Sequence, residues 1–302
     1  IDPAGEIIGT FSGEGHGHAI DALISSTTQT YQDSGLLIPG QFKVSFEDYE
    51  PGVFNQPGKL SVIPEGYRSY FQGADLLVSN SGSHNLHAVS SEALSEPVMT
   101  IGRSSRGSAD GDFAQAEFSE PYGAVFLEPE LAEALGYELI VADTANHLIR
   151  AVSLRSQRVS TIAGTTLQWM QNDETSGAAL EINLSTPWDI TVSEGLLLIA
   201  MAGEHRIWTL DLQGGTVQVL AGTTNEGLQD GPFETAWFAQ SSGLLASKTT
   251  NGLVWVIDAE TSSLRKLQDG VVTTLVGKGL FEFGHLDGNA GEALLQHPLG
   301  LT

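Results

Sequence analysis

The stretch that decides the fold reads Leu139-Ile-Val-Ala-Asp-Thr-Ala-Asn-His-Leu-Ile-Arg150. A short apolar run, residues 139–141, is followed by the turn residues 143–146. Of these, Asp143, Thr144 and Asn146 have short polar side chains that bond nearby backbone and favour turns. A second apolar run then extends from Leu148 to Val152. Two such runs joined by turn residues predict two neighbouring β-strands and the tight turn between them.

Copies of this unit occur at residues 76–89, 197–208 and 254–265. Each copy follows an apolar residue that stands three positions before a proline or its equivalent, and precedes a strand that ends in glycine. The leading apolar residues are Phe54, Phe118, Leu184, Phe238 and Leu295, and the terminal glycines are Gly102, Gly164, Gly222 and Gly277. Each cycle thus supplies about four short strands, which is typical of a β-propeller blade. Because one blade cannot bury both faces of its sheet, we expect neighbouring blades to pack face to face.

These cycles resemble NHL repeats. The resemblance is carried by residues 54–59, 142–150, 186–189, 199–203, 207–208 and 297–300, of which Asn146-His147-Leu148 spells the family name. In particular, the chain resembles NHL propellers that follow a thioredoxin-like domain. This resemblance implies an all-β propeller of six blades. This sequence holds four complete blades, and residues 295–302 begin a fifth. We therefore expect a fragment, with the missing blades supplied by the rest of the chain or by another chain.

The first 35 residues follow a different pattern. Residues 6–11 predict a short strand, and the apolar residues from Ile20 to Tyr31 recur at helical spacing until Gly35 ends the helix. This hairpin and helix resemble the C-terminal end of a thioredoxin-like domain. The predicted organisation is a remnant of that domain at residues 1–35, a linker at 36–53 and the propeller at 54–302. The chain has no cysteine, so the resemblance implies that any redox-active portion lies upstream and is absent here.

The composition excludes several classes of partner. With 37 acidic and 13 basic residues the net charge is −24, whereas nucleic-acid binding rests on lysine and arginine that neutralise phosphates. Anionic membrane surfaces are disfavoured for the same reason, and no apolar run approaches the length of a membrane span. We attribute the acidity to solubility, with attraction of a cation or a basic partner as the alternative. We expect a soluble protein of unknown compartment, with the cytoplasm slightly favoured.

Three histidines occupy the same turn of successive cycles, and Ser262 takes that position in the fourth. Stacked repeats place equivalent residues around the ring. One hypothesis is that each histidine bonds its own turn or the next blade, as a repeated structural device. The other is that these turns line a binding surface, for which the candidates are His84, Asn146, His147, Glu204 and His205.

A second column consists of Asn80, Asp143 and Asp258, and it is broken by Met201. Oxygen ligands of this kind suit a hard cation such as Ca²⁺, although turn formation explains the same residues. A third, Asp-Gly column occurs at Asp110, Asp230 and Asp287, and we align Asn172-Asp173 with it in the remaining cycle. We interpret this third column as turn chemistry.

The sequence holds no catalytic signature. There is no Gly-x-Ser-x-Gly elbow, Walker A motif or His-Glu-x-x-His helix. We therefore predict no catalytic residues and no cofactor for this chain, and a scaffold whose loops bind a protein, peptide or ligand. The alternative is a metal-assisted hydrolase or lyase on the propeller, which requires His, Asp or Glu side chains that converge near the axis.

Overall fold

The computed structural model describes residue 2 and residues 4–11, 16–37 and 52–302. Most of the predicted linker, residues 38–51, lies outside them. The chain divides into two compact units, Ile1–Pro51 and Gly52–Thr302. No helix in the described part of the chain has the length and apolar character of a membrane span.

The described residues of the first unit form one helix, α1 (Gly17–Asp33), as the helical spacing predicts. Its apolar residues Ile20, Leu23 and Ile24 border a small groove with Ile8 and Phe11. A turn joins residues 2 and 6, where the Asp2 N–H donates to the Glu6 carbonyl, but the strand predicted at residues 6–11 is wrong. A short extended segment needs a stable partner to form a ladder, since an isolated two-stranded hairpin is marginal in water.

The second unit is a propeller of four antiparallel blades, as predicted. Blade 1 comprises β1 (Lys59–Val62), β2 (Leu76–Asn80), β3 (Asn85–Val89) and β4 (Met99–Ile101). Blade 2 comprises β5 (Gly111–Asp112), β6 (Pro121–Phe126), β7 (Leu139–Asp143), β8 (Leu148–Ser153) and β9 (Arg158–Ala163). Blade 3 comprises β10 (Ser176–Ala178), β11 (Pro187–Ser193), β12 (Leu196–Met201), β13 (Arg206–Asp211) and β14 (Thr216–Ala221). Blade 4 comprises β15 (Gly231–Pro232), β16 (Ser241–Ala246), β17 (Val254–Asp258), β18 (Ser263–Gln268) and β19 (Val271–Val276).

The opening stretch forms β7, a 3₁₀ turn and β8, as its pattern predicts. In each five-stranded blade, the first strand in sequence is short and pairs with the last, outermost strand, so that β5 lies beside β9. Neighbouring blades meet mainly through the inner strands β1, β6, β11 and β16. A short helix, α2 (Pro129–Leu135), is inserted between β6 and β7.

Three apolar clusters fill the spaces between successive blades. Leu86 and Phe118 belong to the cluster between blades 1 and 2, Ile149 and Trp208 to the next, and Ile207 and Phe238 to the last. Burial of one such side chain contributes about 1.5–3 kcal/mol before the ordering cost. This packing confirms the prediction that each blade is covered by its neighbour.

Strand register defines two faces of the propeller. In blade 2, Pro121 pairs with Asp143 and Phe126 pairs with Leu139. The inner strand therefore begins beside the 3₁₀ turn and ends at the opposite side. We name the side with the turns after each second strand the turn face. The opposite side, the loop face, carries the connections at residues 63–75, 127–138, 194–195 and 247–253.

Residues 297–301 follow blade 4 and repeat contacts made at the start of an inner strand. The His297 N–H donates to the Ser262 hydroxyl at 3.1 Å, as the Glu120 N–H does to His84 Nδ1 at 3.2 Å. The Leu301 side chain lies against Gly243 of β16, where a Cβ would come within 2.9 Å of it. This segment therefore occupies the position of a next inner strand beside blade 4.

Candidate functional site: the propeller channel and its two faces

The turn histidines have a left-handed backbone. His84, His147 and His205 each end a 3₁₀ turn with φ of 57°, 56° and 61°. This conformation is uncommon for residues other than glycine, although histidine adopts it more often than most. The turn thus aims each imidazole away from its own blade.

Each of these imidazoles accepts a backbone hydrogen bond from the start of the next inner strand. The bonds are Glu120 N–H to His84 Nδ1 (3.2 Å), Thr186 N–H to His147 Nδ1 (3.0 Å) and Gln240 N–H to His205 Nδ1 (3.2 Å). In blade 4 the Ser262 hydroxyl accepts the His297 N–H at 3.1 Å. An Nδ1 that accepts a bond carries no proton. These residues therefore join successive blades, as the structural hypothesis predicts, and a binding surface at these turns stays a prediction.

The carboxylate of Asp143 lies inside blade 2, where it meets a buried arginine. Arg150 Nη1 donates to Asp143 Oδ2 at 2.7 Å, and Arg150 Nη2 donates to Asp110 Oδ1 at 2.8 Å. The guanidinium also lies 5.2 Å from the ring centroid of Phe118. Burial raises the pKa of Asp143 to about 6, against the lowering effects of Arg150 and Asn146. At neutral pH the carboxylate and guanidinium form an ion pair that fixes β7, β8 and the Asp-Gly segment together.

Blade 4 repeats this arrangement. Arg265 Nη2 donates to Asp230 Oδ1 at 3.0 Å, and Arg265 Nη1 lies 3.6 Å from Asp258 Oδ2. The guanidinium lies 4.6 Å from the Phe238 ring centroid. Burial raises the pKa of Asp258 above its usual value, and the charge of Arg265 offsets this effect only in part. We call each Asp–Arg–Asp set a charge clamp.

Blade 3 lacks the clamp. Register aligns Gly177 with Gly111 and Gly231, since all three pair with the outermost strand of their blade. Ser176 therefore takes the Asp110 position, and the predicted alignment of Asn172-Asp173 with the Asp-Gly column is wrong. Met201 and Trp208 stand where blade 2 has its aspartate and arginine, and both are fully buried. The segment before β11 is irregular and differs in length from its counterparts, so the sequence alone does not reveal that Ser176 is equivalent to Asp110.

The three candidates for a cation site are not brought together. Asp143 and Asp258 belong to separate clamps, and Asn80 accepts the Asn55 N–H at 2.6 Å while donating to Asn85 Oδ1 at 3.1 Å. Within the described ranges, no group of three or more His, Cys, Asp or Glu side chains is placed to hold a metal. Calcium binding stays a prediction.

Glu204, one of the predicted surface candidates, is only 4% exposed. Its Oε2 lies 3.3 Å from Arg206 Nη1, and the Arg206 guanidinium lies over the Trp169 ring at 5.2 Å. Burial raises the pKa of Glu204 to about 7, although Arg206 and Trp208 lower it. His205 is 8% exposed. Asn146 donates to Asp143 Oδ2 at 2.8 Å, so it too supports the blade.

A lysine that was not among the candidates from the sequence links three inner strands near the turn face. Lys59 Nζ donates to Asp189 Oδ2 at 3.2 Å, to the Ser242 carbonyl at 2.7 Å and to the Leu299 carbonyl at 2.7 Å. Because an ammonium has three N–H donors, all of them are used. Asp189 also accepts the Leu244 N–H at 2.9 Å. Lys59 thus ties blade 1 to blades 3 and 4, and we call this set the axial clasp.

A cavity of ≈ 590 Å³ opens at the loop face. The second halves of all four inner strands line it. Its apolar lining includes Val62, Val125, Phe126, Val192 and Leu245, its hydroxyl groups come from Ser61, Thr191, Ser193 and Ser247, and its charged residues are Glu128, Glu194 and Lys248. One signal in the sequence could have located this lining, since its strand residues follow Pro57, Pro121, Pro187 or the equivalent Ser241 at similar spacing. The predicted surface candidates lie on the turn face, away from this cavity.

Comparisons with known proteins agree with the repeat pattern. The chain is 32% identical over 333 aligned residues to NHL repeat-containing protein 2 of Gallus gallus and, equally, to that of Homo sapiens. It is 30% identical over 319 residues to the chloroplastic protein SUPPRESSOR OF QUENCHING 1 of Arabidopsis thaliana. All of this chain is covered, but only 43% of the first two relatives and 28% of the third.

No protein-family model matches the chain. Among solved structures, a Bacteroides thetaiotaomicron protein of unknown function aligns with 74% of this chain and 60% of its own, at 16% identity and a TM-score of 0.44. A streptogramin B lyase structure aligns with 66% of this chain and 50% of its own, at 11% identity and a TM-score of 0.41.

Proposed function

Because this chain is an NHL-repeat β-propeller, similar over its whole length to NHL repeat-containing protein 2, we propose that it is a binding scaffold that takes up a peptide segment of a partner protein in the loop-face cavity. The observation that carries the proposal is the cavity itself. Its volume of ≈ 590 Å³ falls within the range of about 300–1,000 Å³ typical of ligand sites. All four blades contribute to it, so only the assembled propeller presents it.

An extended peptide suits the lining. The inner strands present hydroxyl and apolar side chains in alternation, as at Ser61-Val62 and Thr191-Val192-Ser193. Extended peptides bind strand edges through their backbone and place alternate side chains in pockets. The cavity opens at the loop face, and the axial clasp lies toward the turn face, so the peptide approaches from the loop face.

No observation favours a hydrolase or lyase. The channel axis brings together Lys59 and Asp189, and every ammonium proton of Lys59 is already donated. Redox chemistry by a thioredoxin-like portion is a separate proposal that concerns the whole protein. We assign no residue of this chain to it.

The proposal is tested by selecting displayed random peptides on the chain and measuring the affinity of each enriched peptide. Val125→Arg places a long charged side chain into the cavity, and Val271→Arg makes the same change on the exposed start of β19. We expect enriched peptides to bind the parent chain and Val271→Arg alike and to lose affinity for Val125→Arg. Circular dichroism checks that both variants fold. Enriched peptides that bind Val125→Arg undiminished would place the binding surface elsewhere.

A further inference from the structure

The loop face carries an excess of negative charge around the cavity. Its four connections contain seven acidic residues, Glu65, Asp75, Glu128, Glu130, Glu133, Glu138 and Glu194, and two basic residues, Arg68 and Lys248. Two of the acids already have partners, since Glu138 pairs with Arg155 and Asp75 bonds Ser91. The other five glutamates are exposed.

None of these five glutamates is engaged by the rest of the described chain. Their side chains form no hydrogen bond and no ion pair with any residue that the structure describes. All five belong to the connections of the loop face, and Glu128 and Glu194 line the cavity. Exposed carboxylates left unpaired around one concave opening raise the local concentration of cations and of basic groups. These glutamates are therefore available to a ligand, whereas the carboxylates of Asp143 and Asp258 are paired with arginines inside the blades.

Two of the five line the cavity on rigid backbone. Glu194 is the first residue of a two-residue turn between β11 and β12, with φ of 51°, and its neighbour Gly195 has φ of 81°. Glu128 directly precedes Pro129, the first residue of α2, and has an extended backbone. Both side chains border the apolar lining formed by Val125, Phe126 and Val192. A carboxylate thus stands beside an apolar surface on two neighbouring blades.

We infer that the peptide taken up by this cavity is basic, with lysine or arginine alternating with apolar residues. This inference rests on the proposed function and adds the chemistry of the partner. In an extended segment, successive side chains point to opposite sides. Apolar residues then enter the cavity, while the basic residues between them reach Glu128 and Glu194 at its edge. Opposite charge also favours encounter and suppresses acidic partners.

The probe is an acetylated, amidated hexapeptide that alternates lysine and leucine, labelled for fluorescence anisotropy. Two relatives of it replace every lysine by glutamine or every leucine by serine. We expect the lysine–leucine peptide to bind most tightly, and its affinity to fall as salt is raised, because exposed charges are screened. Both replacements should weaken binding, since the site combines charge with an apolar surface.

Paired variants test the named carboxylates. Glu128→Gln/Glu194→Gln removes the two charges that line the cavity, and Glu181→Gln/Glu234→Gln removes two exposed charges that do not line it. We expect about fivefold weaker binding in the first variant, from two exposed ion pairs of about 0.5 kcal/mol each, and unchanged binding in the second.

The outcomes separate the two proposals. If the glutamine peptide binds as tightly as the lysine peptide, or if both double variants weaken binding equally, the charge selection is wrong while the cavity remains a peptide site. If neither these peptides nor displayed peptides respond to Val125→Arg, the proposed function itself fails.

Discussion

The backbone at His84, His147 and His205 and the bond each makes to the next blade together restrict the residue at this turn. A left-handed residue that also bonds the next blade needs an acceptor close to its own backbone. The imidazole Nδ1 arrives within 3.0–3.2 Å of the next N–H, and in blade 4 the left-handed Ser262 makes the equivalent bond through its hydroxyl. The same residue that suggests metal or acid–base chemistry in a sequence is here a bridge between blades.

Replacement of His147 by alanine should therefore lower the free energy of unfolding through two effects. The left-handed backbone becomes strained, and the Thr186 N–H loses its acceptor. Gln157→Ala is the matched control, because Gln157 has φ of 53° but lies in an exposed hairpin turn of blade 2. Urea unfolding should show that His147→Ala loses about 1 kcal/mol more than Gln157→Ala, the contribution of one hydrogen bond. Equal losses would contradict the bridging role.

Glu204 makes stability depend on pH in a direction opposite to that of an ordinary ion-paired carboxylate. Its pKa is raised from 4.5 to about 7, so the folded state holds the proton more tightly than the unfolded state. The stabilising contribution is complete below pH ≈ 4.5 and is lost as pH rises to ≈ 7, by up to about 3 kcal/mol.

Glu204→Gln should accordingly flatten the pH dependence of stability between those values and raise stability at neutral pH. Glu181→Gln, an exposed glutamate of the same blade, should leave the curve unchanged. Denaturant unfolding across this pH range checks both variants. A Glu204→Gln curve parallel to that of the parent chain would overturn the assignment.

At the level of elements, blades 2 and 3 fill equivalent buried positions with chemically different side chains. The charge clamp of blade 2 and the Met201–Trp208 pair of blade 3 occupy equivalent positions beside the 3₁₀ turn. A buried ion pair recovers in attraction roughly what it loses in desolvation, so an apolar set of similar volume can serve as well. Removal of one partner alone is different, because it leaves a buried charge without compensation.

The two blades thus define a substitution experiment. Arg150→Trp should cost about 3–5 kcal/mol, since Asp143 is left unpaired. The triple variant Asp110→Ser/Asp143→Met/Arg150→Trp transfers the blade 3 set to blade 2 and should recover most of that loss. Urea unfolding of the two variants checks this. A triple variant no more stable than Arg150→Trp would mean that the sets are not interchangeable.

The propeller was predictable from the sequence because its elements repeat. The run at residues 139–150 and its copies fix strands and turns locally, and the pairing of neighbours follows. Repetition does not show where a side chain points or what it contacts. The sequence alone suggests that Asp143 is a free oxygen ligand, whereas in the structure Arg150, seven positions away, donates a hydrogen bond to it at 2.7 Å. Lys59 and Asp189 meet across 130 residues, a contact that no local pattern encodes.

At the level of the whole molecule, the axial clasp joins blades that share no strand. Lys59→Met should leave the half-buried Asp189 without its cation, remove the donor to the Ser242 and Leu299 carbonyls, and lower the melting temperature. It should also speed amide hydrogen exchange in residues 297–302, since the Leu299 carbonyl loses its donor. Lys278→Met removes the same charge from an exposed position and should do neither. Unchanged exchange in residues 297–302 of Lys59→Met would show that the segment is held by blade 4 alone.

The clasp also bears on the order in which the molecule folds. Its three bonds span 130, 183 and 240 residues, whereas most strands within a blade pair with the next strand in sequence. Local contacts form early and distant ones late, because long loops must be closed before such contacts are gained. During synthesis from the N-terminus, the Lys59 ammonium lacks its full set of partners until residue 299 has left the ribosome. We expect the channel axis to be the last region of the propeller to become native.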